Sequence, residues 1–157
     1  MFTNFENMDL NGNSSVRFFF TSKAITLKNR KKLKDFISEI VKKESGKLTA
    51  VNYVFSTDKF LLRINQQYLG HDFYTDIITF DFSNDRKMLE AEIYISIQRV
   101  KDNASKLRIP FNDELLRVMF HGILHLCGYG DKEPLEIKEM RAKENYYIKK
   151  YQEKCST

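Results

Sequence analysis

The chain has few cysteines: Cys127 and Cys155 are the only two in 157 residues, too few and too far apart for a disulfide framework. It lacks any run of about 18 apolar residues, the length that a membrane-spanning helix needs. The N-terminus, MFTNFENMDLNGNSS, has neither the basic start nor the apolar stretch of a secretory signal. The expected compartment is therefore the cytoplasm, with no membrane partner. Internal repeats and low-complexity linkers are missing too, and the length fits one domain rather than two. What is present is 42% hydrophobic and 30% charged residues, a balance that excludes disorder and describes a globular chain. We expect a flexible leader over 1–15, one domain over 16–150 and a frayed tail over 151–157. The formal net charge of +5 is compatible with a phosphate-rich partner, although so modest a balance is common in proteins that bind none.

Strands and helices mix along the chain. Residues 16–20 cluster β-formers and read as a strand. Leu33, Phe36, Ile37, Ile40 and Val41 recur at helical spacing up to Gly46, which supplies a stop. The other face of that helix carries Lys28, Arg30, Lys31, Lys32 and Lys34. With no aromatic residues interleaved, it reads as a solvated face rather than a track for a nucleic-acid backbone. Residues 51–55 form a strand, and Ser56, Thr57 or Asp58 can cap a helix reaching about Tyr68. A polar loop then leads into 76–82, where Ile78, Phe80 and Phe82 share a face. Residues 91–97 alternate with Ile93, Ile95 and Ile97 inward, which places a hairpin between 82 and 91.

Val100, Ala104 and Leu107 space a short helix ended by Pro110. Asn112 or Asp113 can cap the next, which has two apolar lines: Leu115, Met119, Gly122 and Leu126, then Leu116, Phe120 and Ile123. So wide an apolar coat makes this helix central. Pro134 suits the first turn of a last helix reaching toward Tyr147. The pattern is α+β, a small mixed sheet packed with several helices.

The central helix carries two of the three histidines, His121 and His125, four residues apart and so on one face. Gly128 can end the helix and turn the chain back to deliver Asp131. Two imidazoles and a carboxylate suit one zinc ion and leave a position for water, which points to chemistry rather than bracing. Burying the imidazoles unpaired would cost roughly 1–3 kcal/mol each, so a metal is the simpler tenant. Asp131 is either the third ligand or a hydrogen-bond partner of a ligand histidine, with His71 as the rival donor. Cys127, two residues past His125, is turned away and reads as core filler. Arg117, one turn before His121, either grips a phosphate over the pocket or pairs with Asp113. The spacing His-x3-His-x2-Gly-x2-Asp matches long-motif zinc peptidases, but Gly122 stands where they carry a glutamate base.

The string HGILHLCGYGD, with the upstream stretch NQQYLGHDFYTDIITF over residues 65–80, resembles the bacterial YbeY family of metal-dependent endoribonucleases. The resemblance runs from about the first helix to Met140 and Glu144. It departs from the family's HGxLHLxGYDH at Asp131, where the family has histidine, and at Gly130, where it has aspartate. Leu69 replaces the family's arginine, with His71 or Arg117 as possible substitutes, and Glu92 occupies its acidic strand position. That glutamate reads either as the polar face of a half-buried strand or as a support near the metal. Tyr68, Thr75 and Asp76 belong to the upstream motif and are read as supporting the groove or as ordinary sheet residues.

The resemblance implies a metal helix packed beneath the sheet, with its ligands in a groove at the sheet edge. It implies a single-strand-specific endoribonuclease acting on rRNA precursors in ribosome maturation and quality control, with the ribosome or small-subunit proteins as partners. No side chain stands out as a general base, so the nucleophile is expected to be metal-bound water or the RNA 2′-hydroxyl. Two other readings remain: a non-catalytic ribosome-assembly module with a structural metal, and a metal-dependent hydrolase of a small ester or amide.

Overall fold

The computed structural model describes residues 15–21, 25–85 and 87–157, so the expected leader lies outside the described residues but for Ser15. In chain order the elements are β1 (Val16–Phe20), α1 (Arg30–Glu44), β2 (Lys47–Ser56), α2 (Asp58–Ile64), β3 (Ile77–Asp81), β4 (Met88–Ser96), α3 (Ile97–Leu107), α4 (Phe111–Leu126) and α5 (Pro134–Ser156). They make the expected α+β architecture around a four-stranded sheet of order β1-β2-β4-β3. Strands β1, β2 and β4 run parallel, and β3 returns antiparallel along β4 as the expected hairpin. Parallel neighbours cannot be joined by a tight turn. Helix α1 makes the first crossover, and α2 with its loop and β3 makes the second.

The two faces of the sheet divide the core. Phe18, Tyr53, Phe55, Ile93 and Ile95 pack against α1, α4 and α5, while Phe19, Val54, Ile78 and Tyr94 pack against Leu61 and Ile64 of α2. Strand β4 is therefore covered on both sides, and its expected polar face is buried as well. Glu92 alternates with Ile93 and so lies on the α2 face, where it accepts the Tyr94 hydroxyl at 2.6 Å. The reading of Glu92 as a support near the metal is thereby corrected. Ile97 has already left the strand and opens α3.

Helix α4 lies close under β3 and β4 because residue 122 is glycine. A Cβ there would stand 2.7 Å from Ile77 Cδ1 and 3.3 Å from Ile93 Cγ2. The Tyr53 hydroxyl also reaches across from β2 to donate to the Met119 carbonyl at 3.0 Å.

Several boundaries differ from expectation for local reasons. Helix α3 ends at Arg108, in the left-handed region at φ 55, two residues before Pro110. Helix α4 begins directly after Pro110, so Asn112 and Asp113 are not its caps. Asp113 and Glu114 instead sit in its first turn, where the helix dipole favours acids. Helix α2 is capped by Thr57, whose hydroxyl accepts from the Phe60 amide, and gives way at Asn65–Leu69 to a π-helical turn closed by Gly70 at φ 64. Such widened turns are common beside functional sites.

Beyond about residue 150 the chain does not fray. Helix α5 continues to Ser156, with the Tyr151 ring 5.3 Å from Phe36 and Lys154 bonded to Glu39 at 2.6 Å. Nor is the basic face of α1 wholly solvated: Lys34 lies over the Phe18 ring and Arg30 over Phe20. Among the described residues, no helix is long and apolar enough to cross a membrane.

Candidate metal centre

One turn apart on α4, the rings of His121 and His125 meet edge to face with centroids 4.7 Å apart. After Leu126 the chain reverses at Gly128, whose φ of +106 is strained for any residue with a Cβ. The reversal brings Asp131 Oδ2 to 3.4 Å from His121 Nε2 and 3.0 Å from His125 Nε2. The three donor atoms lie within 4.8 Å of one another, and all three residues are half-buried. Tetrahedral zinc with bonds of about 2.0–2.1 Å sets its ligand atoms about 3.3 Å apart, so the donor set can hold one such ion. His71 is not part of this group. It is exposed, stacked on Phe73 at 5.0 Å, and its amide donates to the Asn65 carbonyl. Cys127 is packed against the core as expected, and burial, aided by the charge of Glu44, pushes its thiol up to about 12.

Behind His121 stands Glu144 of α5, 3% exposed. Its Oε1 lies 2.8 Å from His121 Nδ1, while Arg117 and Arg141 each reach Oε2 at 3.0 Å. In the tautomer whose Nδ1–H donates to that carboxylate, Nε2 is left with its lone pair toward Asp131. Burial lowers the His121 pKa, but the carboxylates of Glu144, Asp131 and Asp76 outweigh it and raise the group above its ordinary value. The same field favours a cation. Burial raises Glu144, yet His121, Arg117 and Arg141 hold it below the usual carboxylate range.

Arg117 does not pair with Asp113, which instead accepts from Gln152 at 3.1 Å. Its guanidinium is committed to Glu144 and, at 2.9 Å, to Asn145. It lines a cleft of about 150 Å³ beside His121, together with Asp76, Glu114, Arg141 and Glu144. Asp76 is the carboxylate of the upstream motif that reaches this cleft. Burial pushes its carboxyl up, opposed by His121, and Asn103 donates to it at 3.2 Å. Thr75 donates to the Ile77 carbonyl, while Tyr68 lies against Phe80 on the α2 face and Leu69 is exposed.

The ligand loop has its own anchor. Tyr129, two residues before Asp131, donates to Glu44 Oε2 at 2.6 Å, and the other oxygen of Glu44 accepts from Lys143 at 2.9 Å and from Tyr147. Glu44, at the end of α1, thus ties together the loop that carries Asp131 and the stretch of α5 that carries Glu144. Beside it, Gly130 leaves room for the Glu136 carboxylate, which caps α5 and accepts from the amides of Lys132 and Glu133. A Cβ at residue 130 would stand 2.5 Å from that carboxylate.

Two motifs far apart in the chain, residues 65–80 and 121–131, thus bring Asp76 and His121 to one cleft. A family model described as Endoribonuclease YbeY matches residues 18–152. The chain belongs to the endoribonuclease YbeY family. Among its relatives, the endoribonuclease YbeY of Amoebophilus asiaticus is 44% identical over 86% of this chain and 92% of that protein. That of Cytophaga hutchinsonii is also 44% identical, over 83% and 92%. The solution structure of the Thermotoga maritima protein TM1509 superposes with a TM-score of 0.61 at 33% identity, covering 90% of this chain and 91% of the other. As a YbeY family member the chain is an endoribonuclease, a nuclease that depends on a metal.

Sequence reasoning missed Glu144, Glu44 and Arg141. Glu144 had a visible signal: it interrupts the buried row Met140, Tyr147, Ile148 and Tyr151 of α5, where an acid needs a partner. Glu44 had none, since its partners lie 85 to 103 residues away.

Proposed function

We propose that this endoribonuclease cuts single-stranded regions of rRNA precursors in the cytoplasm, serving ribosome maturation and quality control, with one zinc ion held by His121, His125 and Asp131. The observation that carries the reading is the convergence of those donors, with the Nδ1 of His121 secured on buried Glu144. Held by these three residues, a divalent ion would supply Lewis-acid polarisation of a phosphoryl oxygen and would lower the pKa of water. The chain's own residues supply the rest. Glu144 keeps the His121 ring from turning and fixes its tautomer. Arg117 and Arg141 offset the charge of Glu144 and bring guanidinium groups into the cleft, where the scissile phosphate needs positive charge. His71, exposed on the loop before β3, contacts the RNA strand outside the cleft.

Neither alternative fits as well. A brace would bury its metal, whereas these donors are half-exposed. A peptidase-like base at residue 122 would be driven into Ile77 and Ile93 rather than toward the substrate. The test is incubation of a single-stranded rRNA fragment and its duplex with the purified protein and with His121→Ala, alongside elemental analysis. Internal cleavage of the single strand by the wild type alone, with about one zinc per chain, is expected. Identical products from both proteins would remove this site from the reaction.

A further inference from the structure

We infer that the loop 70–76 is a stacking surface for unpaired bases of the RNA strand that enters the metal cleft. This rests on the single-strand reading above and names the surface that would enforce it. Phe73 is 56% and Tyr74 51% exposed, a placement unusual for adjacent large rings in a soluble chain. The backbone beneath them is nonetheless tied down. The Asn65 side chain donates to the Phe73 carbonyl at 3.0 Å, the His71 amide donates to the Asn65 carbonyl, and Gln66 donates to Asp72 at 2.6 Å. The rings are also arranged: His71 lies nearly parallel to Phe73, 21° apart in plane, and the Arg99 guanidinium lies 5.2 Å from the Tyr74 ring centre. Arg99 is itself fixed by Asp58 at 2.9 Å. The loop therefore holds two half-exposed rings on a fixed frame, Phe73 stacked on His71 and Tyr74 against Arg99.

Two features identify the occupant. The loop runs directly into Asp76, which lines the cleft beside His121. Consecutive Cα atoms are 3.8 Å apart, so Phe73 stands no more than about 11 Å of chain from that residue. A strand threaded to the metal passes within reach of the rings. The surface also offers ring faces more than charge, since the cation within cation–π reach among the described residues, Arg99, is spent on Asp58. Such a surface suits bases, each of which has a π-face, and it discriminates against duplexes, whose base faces are covered by their own stacking.

The test is fluorescence anisotropy with a labelled single-stranded RNA under chelation, which prevents cutting. Phe73→Ala and Tyr74→Ala are each expected to weaken binding about tenfold, the size of one base–aromatic stack, with Phe73→Trp restoring it. The salt dependence is expected to stay as in the wild type, because no phosphate contact is lost. An RNA carrying abasic sites is expected not to distinguish the variants. With metal restored, the variants raise KM and leave kcat near the wild-type value, and thermal melting checks that the fold is intact. Unchanged affinity in the double variant would overturn the inference, as would an equal loss on abasic RNA. So would a loss confined to binding of ribosomal proteins, which would put a protein on the rings. Ring-dependent binding with equal cleavage of single strand and duplex by the metal-loaded wild type would sink the single-strand reading and leave the stacking surface standing; strand-selective cleavage indifferent to the rings would do the reverse.

Discussion

His121 Nδ1 lies 2.8 Å from a carboxylate that is 3% exposed, whereas Phe73, on the loop leading to the same cleft, leaves 56% of its surface to solvent. At the end of α4 the precision comes from charged hydrogen bonds out of other helices: Glu144 on α5 orients the imidazole, and Glu44 on α1 holds the ligand loop through Tyr129. On the loop 70–76 the bonds fall on the backbone and on polar side chains, and about half of the Phe73 and Tyr74 surface is left to solvent. The contrast follows from the partners. A cation tolerates ligand errors of only tenths of an ångström, so a bond behind a donor, such as Glu144 makes to His121, holds it in place. A base presents a broad face, and a ring can meet it in many registers.

Substitutions can break or sharpen this contrast. The largest effect is expected for His125→Ala, which removes a donor outright. Single-turnover cleavage should fall about 10³-fold or more, against about tenfold in binding for a ring on the loop. A fall of only tenfold would place the two regions on an equal footing. Next comes Glu144→Ala, which strands the His121 Nδ1 proton and two guanidinium groups. Metal affinity, read by chelator competition, should drop about 10- to 100-fold, and urea denaturation should show about 3–5 kcal/mol lost. If affinity holds while stability falls, Glu144 supports the fold and not the ion.

Glu44→Gln should act more gently, lowering metal affinity a few-fold and changing how stability responds to acid. Burial raises the Glu44 carboxyl, but bonds from Tyr129, Tyr147 and Lys143 outweigh it and hold the group below its ordinary 4.5. A carboxyl with a depressed folded pKa stabilises the fold above its unfolded value, and that stabilisation is lost as pH falls through the lower folded one. Chemical denaturation from pH 6 down to 3 should therefore show a shallower acid decline in the glutamine variant; parallel curves would mean the anchor carries no charge-dependent stability. The smallest effect is expected for Asp131→His. Imidazole also binds zinc, so affinity should stay within about twofold of the wild type, while Asp131→Ala should lose far more. Equal losses would show that the loop, and not the donor chemistry, limits this position.

The local arithmetic of the chain was enough for the α+β class, the central helix and the candidate ligands. Four-residue spacing on one helix and a glycine turn are settled within eleven residues, so the approach of His121, His125 and Asp131 was legible there, although Glu144 and Glu44 hold it in register from other helices. Packing decided the rest. Arg117 had two partners in view, and the docking of α5 brought a third, Glu144, from 27 residues away. Alternation placed Glu92 and Ile93 on opposite sides of β4, but it is silent on which side α4 will take, and only the packing of α4 put Ile93 beside the helix that carries the histidines. Glu44 is the extreme case, because a carboxylate at a helix end looks like any surface charge until distant hydroxyls close around it. Short-range periodicity is written into neighbouring residues, whereas the groups that hold a site in register come from segments whose meeting depends on how the whole core packs.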